Sequence, residues 1–167
     1  MRARSKIKLV PRPEPRELRP PPIADSDRLR LSRGEHSEPH RILGAHPATV
    51  SGIDGVVVRA FHPDAVSVEW VPVDHSPSLM EAIGDGIFAL FLPGVRLPLR
   101  YRFRFRFEDG AVWERGDPYR FLPTLGEMDS YLFNEGTHRR LWQVLGSHPR
   151  HIDGEQGVSF AVWAPSA

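Results

Sequence analysis

The 167-residue sequence contains no cysteine. That absence excludes disulfide bonds and thiolate metal sites. No apolar run approaches the roughly 18 residues that span a bilayer, and the basic N-terminus lacks the apolar stretch of a secretory signal. The formal net charge of +1 is too small to indicate a nucleic-acid or membrane surface. We therefore expect a cytoplasmic protein that has neither nucleic-acid nor membrane partners.

The sequence also lacks the patterns typical of catalytic and metal sites. Its eight histidines are scattered, and none falls in the HExxH spacing of zinc proteases. The pair Glu108-Asp109 lies at a predicted hairpin turn, where acidic residues favour turn geometry rather than acid–base chemistry. No glycine-rich phosphate loop occurs. We predict no catalytic residue, no metal ligand and no cofactor.

Glycine and proline are abundant: 14 Gly and 17 Pro make up roughly a fifth of the chain. This composition favours short strands joined by turns over long helices. Residues 1–38 combine proline-rich stretches with many charges and have no periodic apolar face. Such a segment buries too little apolar surface to offset its ordering entropy, so we predict a disordered N-terminal tail over residues 1–38.

A β-rich pattern begins at about residue 39. The clearest strand is Arg100–Phe107, where aromatic side chains alternate with arginines over eight residues. Four further runs between proline and glycine breaks predict strands: Gly55–Phe61, Val66–Val73, Ile87–Leu92 and Ala111–Glu114. Five short strands with turn residues between them predict a small antiparallel β-sandwich over residues 39–120.

The strand pattern stops over residues 121–150, which we interpret as a connector. Thr137 is a possible N-cap and Gly146 a possible stop, so the sequence predicts a short helix between them. A helical turn or two is predicted over Leu125–Phe133.

The chain repeats part of itself. Ile42–Pro47 recurs as Val144–Pro149, 102 positions later, and nine of the 24 positions aligned between 42–65 and 144–167 are identical. The second copy ends just after its first predicted strand, Gly157–Trp163. We therefore expect residues 151–167 to be the truncated first strand of a second β-sandwich module.

Aromatic residues are the candidate binding groups, because sugar rings stack on exposed aromatic faces. Tyr119, Trp142 and Trp70 are the candidates for glucan contact, although aromatic residues of a small sandwich often belong to its core. Trp113 follows the aromatic strand closely and is predicted to be a core residue. The arginine face of that strand could bind an anionic partner, but a solvated face paired with carboxylates is favoured.

Several ordered motifs carry a family resemblance. The segments concerned are Trp113–Phe121, Leu125–Asp129, Asn134–Trp142 and Leu145–Pro149. Together they resemble the N-terminal region of bacterial glycogen (1,4-α-glucan) branching enzymes. The stretch Gly157–Pro165 resembles the opening strand of the family-48 carbohydrate-binding module in those enzymes.

The resemblance implies an all-β fold: an immunoglobulin-like antiparallel β-sandwich with a short helical connector. In that family a family-48 module and a family-13 (β/α)₈ barrel follow. The barrel carries the catalytic carboxylates that move α-1,4-glucan segments to form α-1,6 branches. No barrel motif matches here, so the implied role is a non-catalytic accessory domain. Its implied partners are α-glucan, such as glycogen or amylose, and the missing C-terminal module and barrel.

Two other functions remain open at this point. The chain could be a stand-alone glucan-binding module that acts without a catalytic partner. It could also be a structural β-sandwich for protein interaction that binds no sugar. The incomplete second repeat favours the accessory domain.

Overall fold

The computed structural model describes residues 18–152 and 154–165. The chain divides into two units, the first reaching Arg120 and the second beginning at Phe121.

Two four-stranded antiparallel sheets form the first unit. Their strands, in chain order, are β1 Gly44–Val50, β2 Ile53–Phe61, β3 Ala65–Pro72, β4 Ser78–Leu79, β5 Glu81–Gly84, β6 Ile87–Pro93, β7 Tyr101–Phe107 and β8 Val112–Gly116. One sheet has the order β1-β2-β6-β5 and the other β4-β3-β7-β8. This confirms the predicted antiparallel β-sandwich, and the five predicted strands coincide with β2, β3, β6, β7 and β8.

The main core lies between the two sheets and follows from the alternation along each strand. On β2, Val56, Val58 and Ala60 point inward and are almost completely buried. They pack in one cluster with inward residues of β3 and β7: Val68, Trp70, Tyr101, Phe103 and Phe105. Burying each large apolar side chain contributes about 1.5–3 kcal/mol, so this layer is the main source of the stability of the sandwich.

Strand β1 was not predicted, since its sequence is poor in β-branched residues and includes Pro47. It pairs with β2 through a tight hairpin that joins Val50 to Ile53. The two turn residues, Ser51 and Gly52, have φ values of 50° and 77°. Positive φ at both positions is the geometry whose twist matches that of the flanking strands.

A second apolar cluster lies under a short helix, α1, which spans Asp25–Ser32. Leu31 of this helix packs with Ile42, Leu43 and Ile87 and is buried. Upstream of the helix, the Pro21 carbonyl accepts a hydrogen bond of 3.0 Å from the buried Arg59 guanidinium. From residue 18 onward the structure therefore differs from the disordered tail predicted over 1–38. Residues 1–17 lie outside the described residues.

The second unit contains a helix, a 3₁₀ turn and a hairpin. Helix α2 spans Glu127–Asn134, the 3₁₀ turn Leu141–Gln143, and the hairpin pairs β9 Gly146–Ile152 with β10 Glu155–Ala161. The helix predicted between Thr137 and Gly146 is wrong, because Gly146 (φ 98°) opens a strand instead of ending a helix. The helical turns predicted over 125–133 are confirmed as α2. The single strand predicted within 151–167 is one half of a hairpin.

The sequence repeat is also a structural repeat, and it begins earlier than the sequence showed. The same shift of 102 positions relates α1 to α2, the 3₁₀ turn Pro39–Arg41 to Leu141–Gln143, and β1–β2 to β9–β10. The hairpin registers agree too: Gly44 pairs with Arg59, and Gly146 with Ala161. We call residues 24–61 the first block and residues 126–163 the second block.

Candidate functional site

Trp70 lies in the core of the sandwich. It follows Val68 on the inward face of β3, packs against the Tyr101 ring at 6.3 Å between centroids, and is only 8% exposed. A sugar ring needs an open aromatic face, which Trp70 does not present in this fold. This sequence-predicted contact residue is therefore a packing residue, because the period of β3 directs its side chain toward the opposite sheet.

Tyr119 lies in the 3₁₀ turn Pro118–Arg120, at the end of the sandwich. Its ring packs on the second apolar cluster and meets the His40 ring edge-on, with 4.9 Å between centroids. This partial burial, together with the nearby Asp117 carboxylate, raises the pKa of the Tyr119 hydroxyl. Only part of the ring reaches solvent, so Tyr119 could offer an edge to a ligand rather than a full stacking face.

The position of Tyr119 is fixed by a buried polar pair. The Tyr101 hydroxyl donates a hydrogen bond of 2.5 Å to Asp117, and the Tyr119 backbone N–H donates one of 2.9 Å to the same carboxylate. Asp117 is almost completely buried, and that burial raises its pKa. Because these bonds join the start of β7 to the turn after β8, they hold the Tyr119 turn in place.

Trp142 is the most exposed of the three predicted contact residues. It occupies the 3₁₀ turn Leu141–Gln143 of the second unit and is 71% exposed. Arg139 and Arg140 precede it in the chain. An open indole is a suitable surface for a sugar ring.

Trp113, which was predicted to be a core residue, lies on the exposed edge strand β8. The Arg115 guanidinium lies over its ring, 4.4 Å from the centroid, and the Phe107 ring contacts it at 4.5 Å. The core prediction is wrong because edge position, and not distance along the chain, decides exposure here. The cation–π contact and the Phe107 packing cover part of the indole, which is 43% exposed.

The arginine face of β7 is paired with carboxylates, as favoured from the sequence. Arg104 contacts Glu114 at 3.0 Å and Glu69 at 3.3 Å, and the Glu114 contact raises the pKa of Arg104. Arg106 shares Glu69, and Arg102 shares Glu114. Each of these three arginines is thus paired with a glutamate of a neighbouring strand, so the face is not a vacant anion site.

Within residues 18–152 and 154–165, no three His, Asp or Glu side chains come together in a way that could hold a metal ion. In the same part of the chain, no helix has the length and apolar character that crossing a membrane requires.

The second unit has an open cavity that the sequence did not reveal. Its volume is about 220 Å³, and it lies between helix α2, the 3₁₀ turn and the end of the hairpin. The rings of Phe133 and Trp163 meet edge-on at its wall, 4.8 Å apart. The remaining lining is mainly aliphatic: Leu125, Leu141, Leu145 and Val162. The cavity therefore suits an apolar group better than a charged one.

Comparison with known proteins identifies a family to which the sequence is similar. A family model of the N-terminal domain of the α-1,4-glucan branching enzyme GlgB matches residues 24–119. The match begins at the residue before helix α1 and ends at Tyr119. It therefore covers residues 24–38 of the predicted disordered tail and the whole sandwich.

Curated relatives extend the likeness into the second unit. The 1,4-alpha-glucan branching enzyme GlgB of Nocardia farcinica is 44% identical over 162 residues, which cover 93% of this chain and 21% of the relative. The GlgB of Mycolicibacterium paratuberculosis is 47% identical over 146 residues, and that of Myxococcus xanthus 41% over 143. These two matches cover 85% and 86% of this chain, and 19% of each relative. The chain thus spans about a fifth of the length of these relatives.

Proposed function

Because this chain belongs to the family of the N-terminal domain of GlgB branching enzymes, we propose that it is a non-catalytic accessory region of a 1,4-α-glucan branching enzyme. The observation that carries the proposal is the match over residues 24–119, together with relatives named as branching enzymes. The cytoplasmic location expected from the sequence is part of the same proposal.

The accessory role is supported by what the described residues offer chemically. Branching requires two carboxylates placed on either side of a glycosidic bond, one to attack and one to transfer protons. In the first unit the buried carboxylate, Asp117, is bound by Tyr101 and by the Tyr119 backbone, so it is already engaged in holding a turn. We therefore assign the sandwich a role in placing the other domains of the enzyme. Such placement would also influence the length of the glucan chains that the enzyme transfers.

We further propose that the chain contacts glucan, and Trp142 is the strongest candidate for this contact. Its open indole can stack on a pyranose ring, while Tyr119 offers only a partial face and Trp70 none. The remaining partners proposed from the resemblance are the family-48 module and the (β/α)₈ barrel.

A different contact for Trp142 is favoured by the structural repeat. The residue 102 positions earlier is His40, and its ring packs edge-on against Tyr119. If the second block follows the first in this respect, Trp142 meets an aromatic side chain of a protein segment instead of a sugar. The chain would then act in domain placement alone.

Sedimentation with glycogen separates these roles. If Trp142 contacts glucan, Trp142→Ala should weaken binding about tenfold, which corresponds to roughly 1.4 kcal/mol. Trp113→Ala is the matched control, since the Arg115 guanidinium already lies over that ring, and it should bind like the wild type. Equal binding by both variants would refute the Trp142 contact. No binding by the wild type would leave domain placement as the role.

A transferase assay on amylose tests the non-catalytic role itself. The chain alone should form no α-1,6 linkages at any concentration that can be measured. Branch formation that follows the purified chain through chromatography would refute the accessory assignment.

A further inference from the structure

The segment that precedes helix α1 has the backbone of a polyproline II helix. It contains three consecutive prolines, Pro20–Pro22, and a proline ring holds φ at about −65°. Each residue that precedes a proline is restricted to extended values of ψ. At the end of the segment, Ala24 has φ −59° and ψ 139°, which lie in the polyproline II region. We call residues 18–24 the strap.

Exposure along the strap follows the period of this conformation. A polyproline II helix has three residues per turn, so residues three apart lie on the same side. Arg19 and Pro22 are three apart and exposed. The residues between and beside them are half-buried: Leu18, Pro20, Pro21 and Ile23. One side of the strap therefore faces solvent, and the others lie against the first unit.

A buried arginine of the sheet binds the main chain of the strap. Arg59 lies on the outer face of β2, because Val58 and Ala60 on either side of it point into the main core. Its Nη2 donates a hydrogen bond of 3.0 Å to the Pro21 carbonyl, and its Nη1 donates one of 3.5 Å to the Ile42 carbonyl. A polyproline II segment has no internal hydrogen bonds, so its carbonyls are available to such a donor.

The charge of Arg59 is unfavourable for folding. The residue is 8% exposed, and burial lowers the pKa of its guanidinium. Among the described residues no carboxylate forms an ion pair with it, and its Nε has no hydrogen-bond partner. Its neighbours on the same face, Val57 and Ala89, are apolar and buried. Since a buried charge without a counter-ion destabilises a fold, an apolar residue at this position would serve folding better.

The second block shows that the hairpin itself does not require this arginine. The residue 102 positions after Arg59 is Ala161, which lies in a hairpin of the same register. The run of three prolines is replaced there by residues 122–124, of which one is proline. Ile23, in contrast, corresponds to the aliphatic Leu125. The buried arginine and the proline run thus occur together in one block and are both absent from the other, which links Arg59 to the strap.

We propose that the outer face of the sheet at Arg59 is a recognition site for a polyproline II segment, which the strap occupies in cis and a proline-rich segment of a partner protein occupies in trans. The partner segment has three prolines followed by an aliphatic residue. Arg59 donates to the carbonyl of the second proline, and the aliphatic side chain packs on the second apolar cluster, as Ile23 does. Docking of a preformed polyproline II helix on a fixed surface is a known mode of peptide recognition. This inference holds whether or not the chain contacts glucan.

The strap is suited to exchange because few interactions hold it. Among the described residues, the bond from Arg59 is the one hydrogen bond between residues 18–23 and the sheet. Its covalent link to helix α1 nevertheless gives the strap a high effective concentration, in the millimolar range for a short linker. A free peptide therefore competes poorly until the strap is weakened.

The probe is an acetylated synthetic peptide with the sequence of residues 18–24, titrated into the ¹⁵N-labelled full chain and followed by NMR. A variant carrying Pro20→Gly, Pro21→Gly and Pro22→Gly should bind the peptide at least tenfold more tightly than the wild type. The reason is that glycine loses more conformational freedom than proline when the strap docks. Shifts should include the Arg59 side chain and the amides of β2.

A matched peptide tests whether the proline run is recognised. The same sequence with its three prolines changed to glycine should bind the variant at least tenfold more weakly than the proline peptide. Equal binding of the two peptides would overturn the proposal. Failure of the proline peptide to bind the variant at millimolar concentration would also overturn it.

Arg59→Met in the same variant separates recognition from folding. Methionine has a similar length but donates no hydrogen bond, so the affinity for the peptide should fall at least tenfold. The urea midpoint should stay unchanged or rise, because a buried charge is removed. Arg102→Met, at an exposed arginine of the other sheet, is the matched control and should not change the affinity. A lower midpoint with unchanged affinity, or shifts at Arg59 with maltoheptaose but not with the peptide, would overturn the proposal.

Discussion

The first and second blocks share a backbone but differ in burial. In both, a histidine imidazole Nε2 lies 2.9 Å from the carbonyl oxygen three residues earlier: His46 with Leu43, and His148 with Leu145. Leu43 is nevertheless 1% exposed, whereas Leu145 is partly exposed at the cavity wall. Local sequence therefore sets the path of the chain, and strands from outside the block decide what is buried.

The shared path depends on a few residues with special roles. Gly44 and Gly146 begin the hairpins with φ of 93° and 98°, a region that other residues rarely adopt. In the first unit, a Cβ on Gly44 would also lie 2.9 Å from the Tyr119 carbonyl oxygen. This is why the Leu-Gly-x-His-Pro motif recurs where the sequence is otherwise divergent.

The largest difference between the blocks is expected from one substitution made at two equivalent valines. Val56→Asp places an unpaired carboxylate in the core between the sheets, and we expect loss of the folded first unit. Val158→Asp changes an exposed side chain, and we expect a stability change within about 0.5 kcal/mol. Urea denaturation followed by circular dichroism measures both. Similar losses from the two variants would show that β10 is covered.

A smaller contrast is expected at the two equivalent leucines. Leu43→Ala should cost about 2–5 kcal/mol, because it opens a cavity among Leu31, Ile42 and Ile87. Leu145→Ala widens a cavity that is already open, so its cost should be about 1 kcal/mol or less. Chemical denaturation with tryptophan fluorescence provides the measurement. A larger cost at Leu145 than at Leu43 would contradict the comparison.

The Tyr101–Asp117 pair holds the Tyr119 turn at the end of the first unit. We expect Tyr101→Phe to lower the free energy of unfolding by about 1–3 kcal/mol, because Asp117 would lose one hydrogen bond.

Burial raises the pKa of Asp117, so folding favours its protonated form. Its contribution is therefore fully present below the unfolded pKa and is lost as the pH rises toward the folded pKa. Asp117→Asn should remove this pH dependence from the unfolding free energy. An unchanged pH profile in that variant would contradict the assignment.

The smallest contrast concerns an aspartate–histidine pair that the two blocks share. Asp129 lies 2.9 Å from His138, and Asp27 lies 3.5 Å from His36. Hydrogen bonds from His138 and from the Gly126 backbone lower the pKa of Asp129. Any stability from this ionised carboxylate is therefore present above its unfolded pKa and lost as the pH falls through the lowered one. Carboxyl NMR titration should show the Asp129 pKa rising in His138→Ala; no change would exclude the pairing.

Much of the sandwich could be predicted because its strands carry their own signal. The alternation of aromatic residues and arginines in β7 predicts one buried and one solvated face. In the structure the aromatic side chains pack in the core, and the arginines form ion pairs on the opposite face. Helix α1 could not be predicted, because Leu31 is its one buried residue. One buried leucine among charges gives no periodic pattern, and the partners that bury it come from β6 and the turn before β1.

The candidate site was harder to predict, since exposure depends on neighbours distant in sequence. Trp70 lies in β3, which is internal to its sheet, and its side chain is buried. Trp113 lies in β8, at the edge of the same sheet, and its side chain is exposed. The upstream extent of the repeat was missed for a similar reason. Only Asp27, Gly34 and His36 recur identically between residues 24 and 41, too few to align without the helix geometry.

Amide hydrogen exchange of β2 and β10 in the same sample tests the central claim most directly. We expect the amides of Val56, Val58 and Ala60 to exchange only through global unfolding of the first unit. The amides of Val158 and Phe160 should exchange much faster, because within the described residues β10 pairs with β9 alone and these two side chains are exposed. Equal, global-level protection of both strands in the free chain would contradict the account.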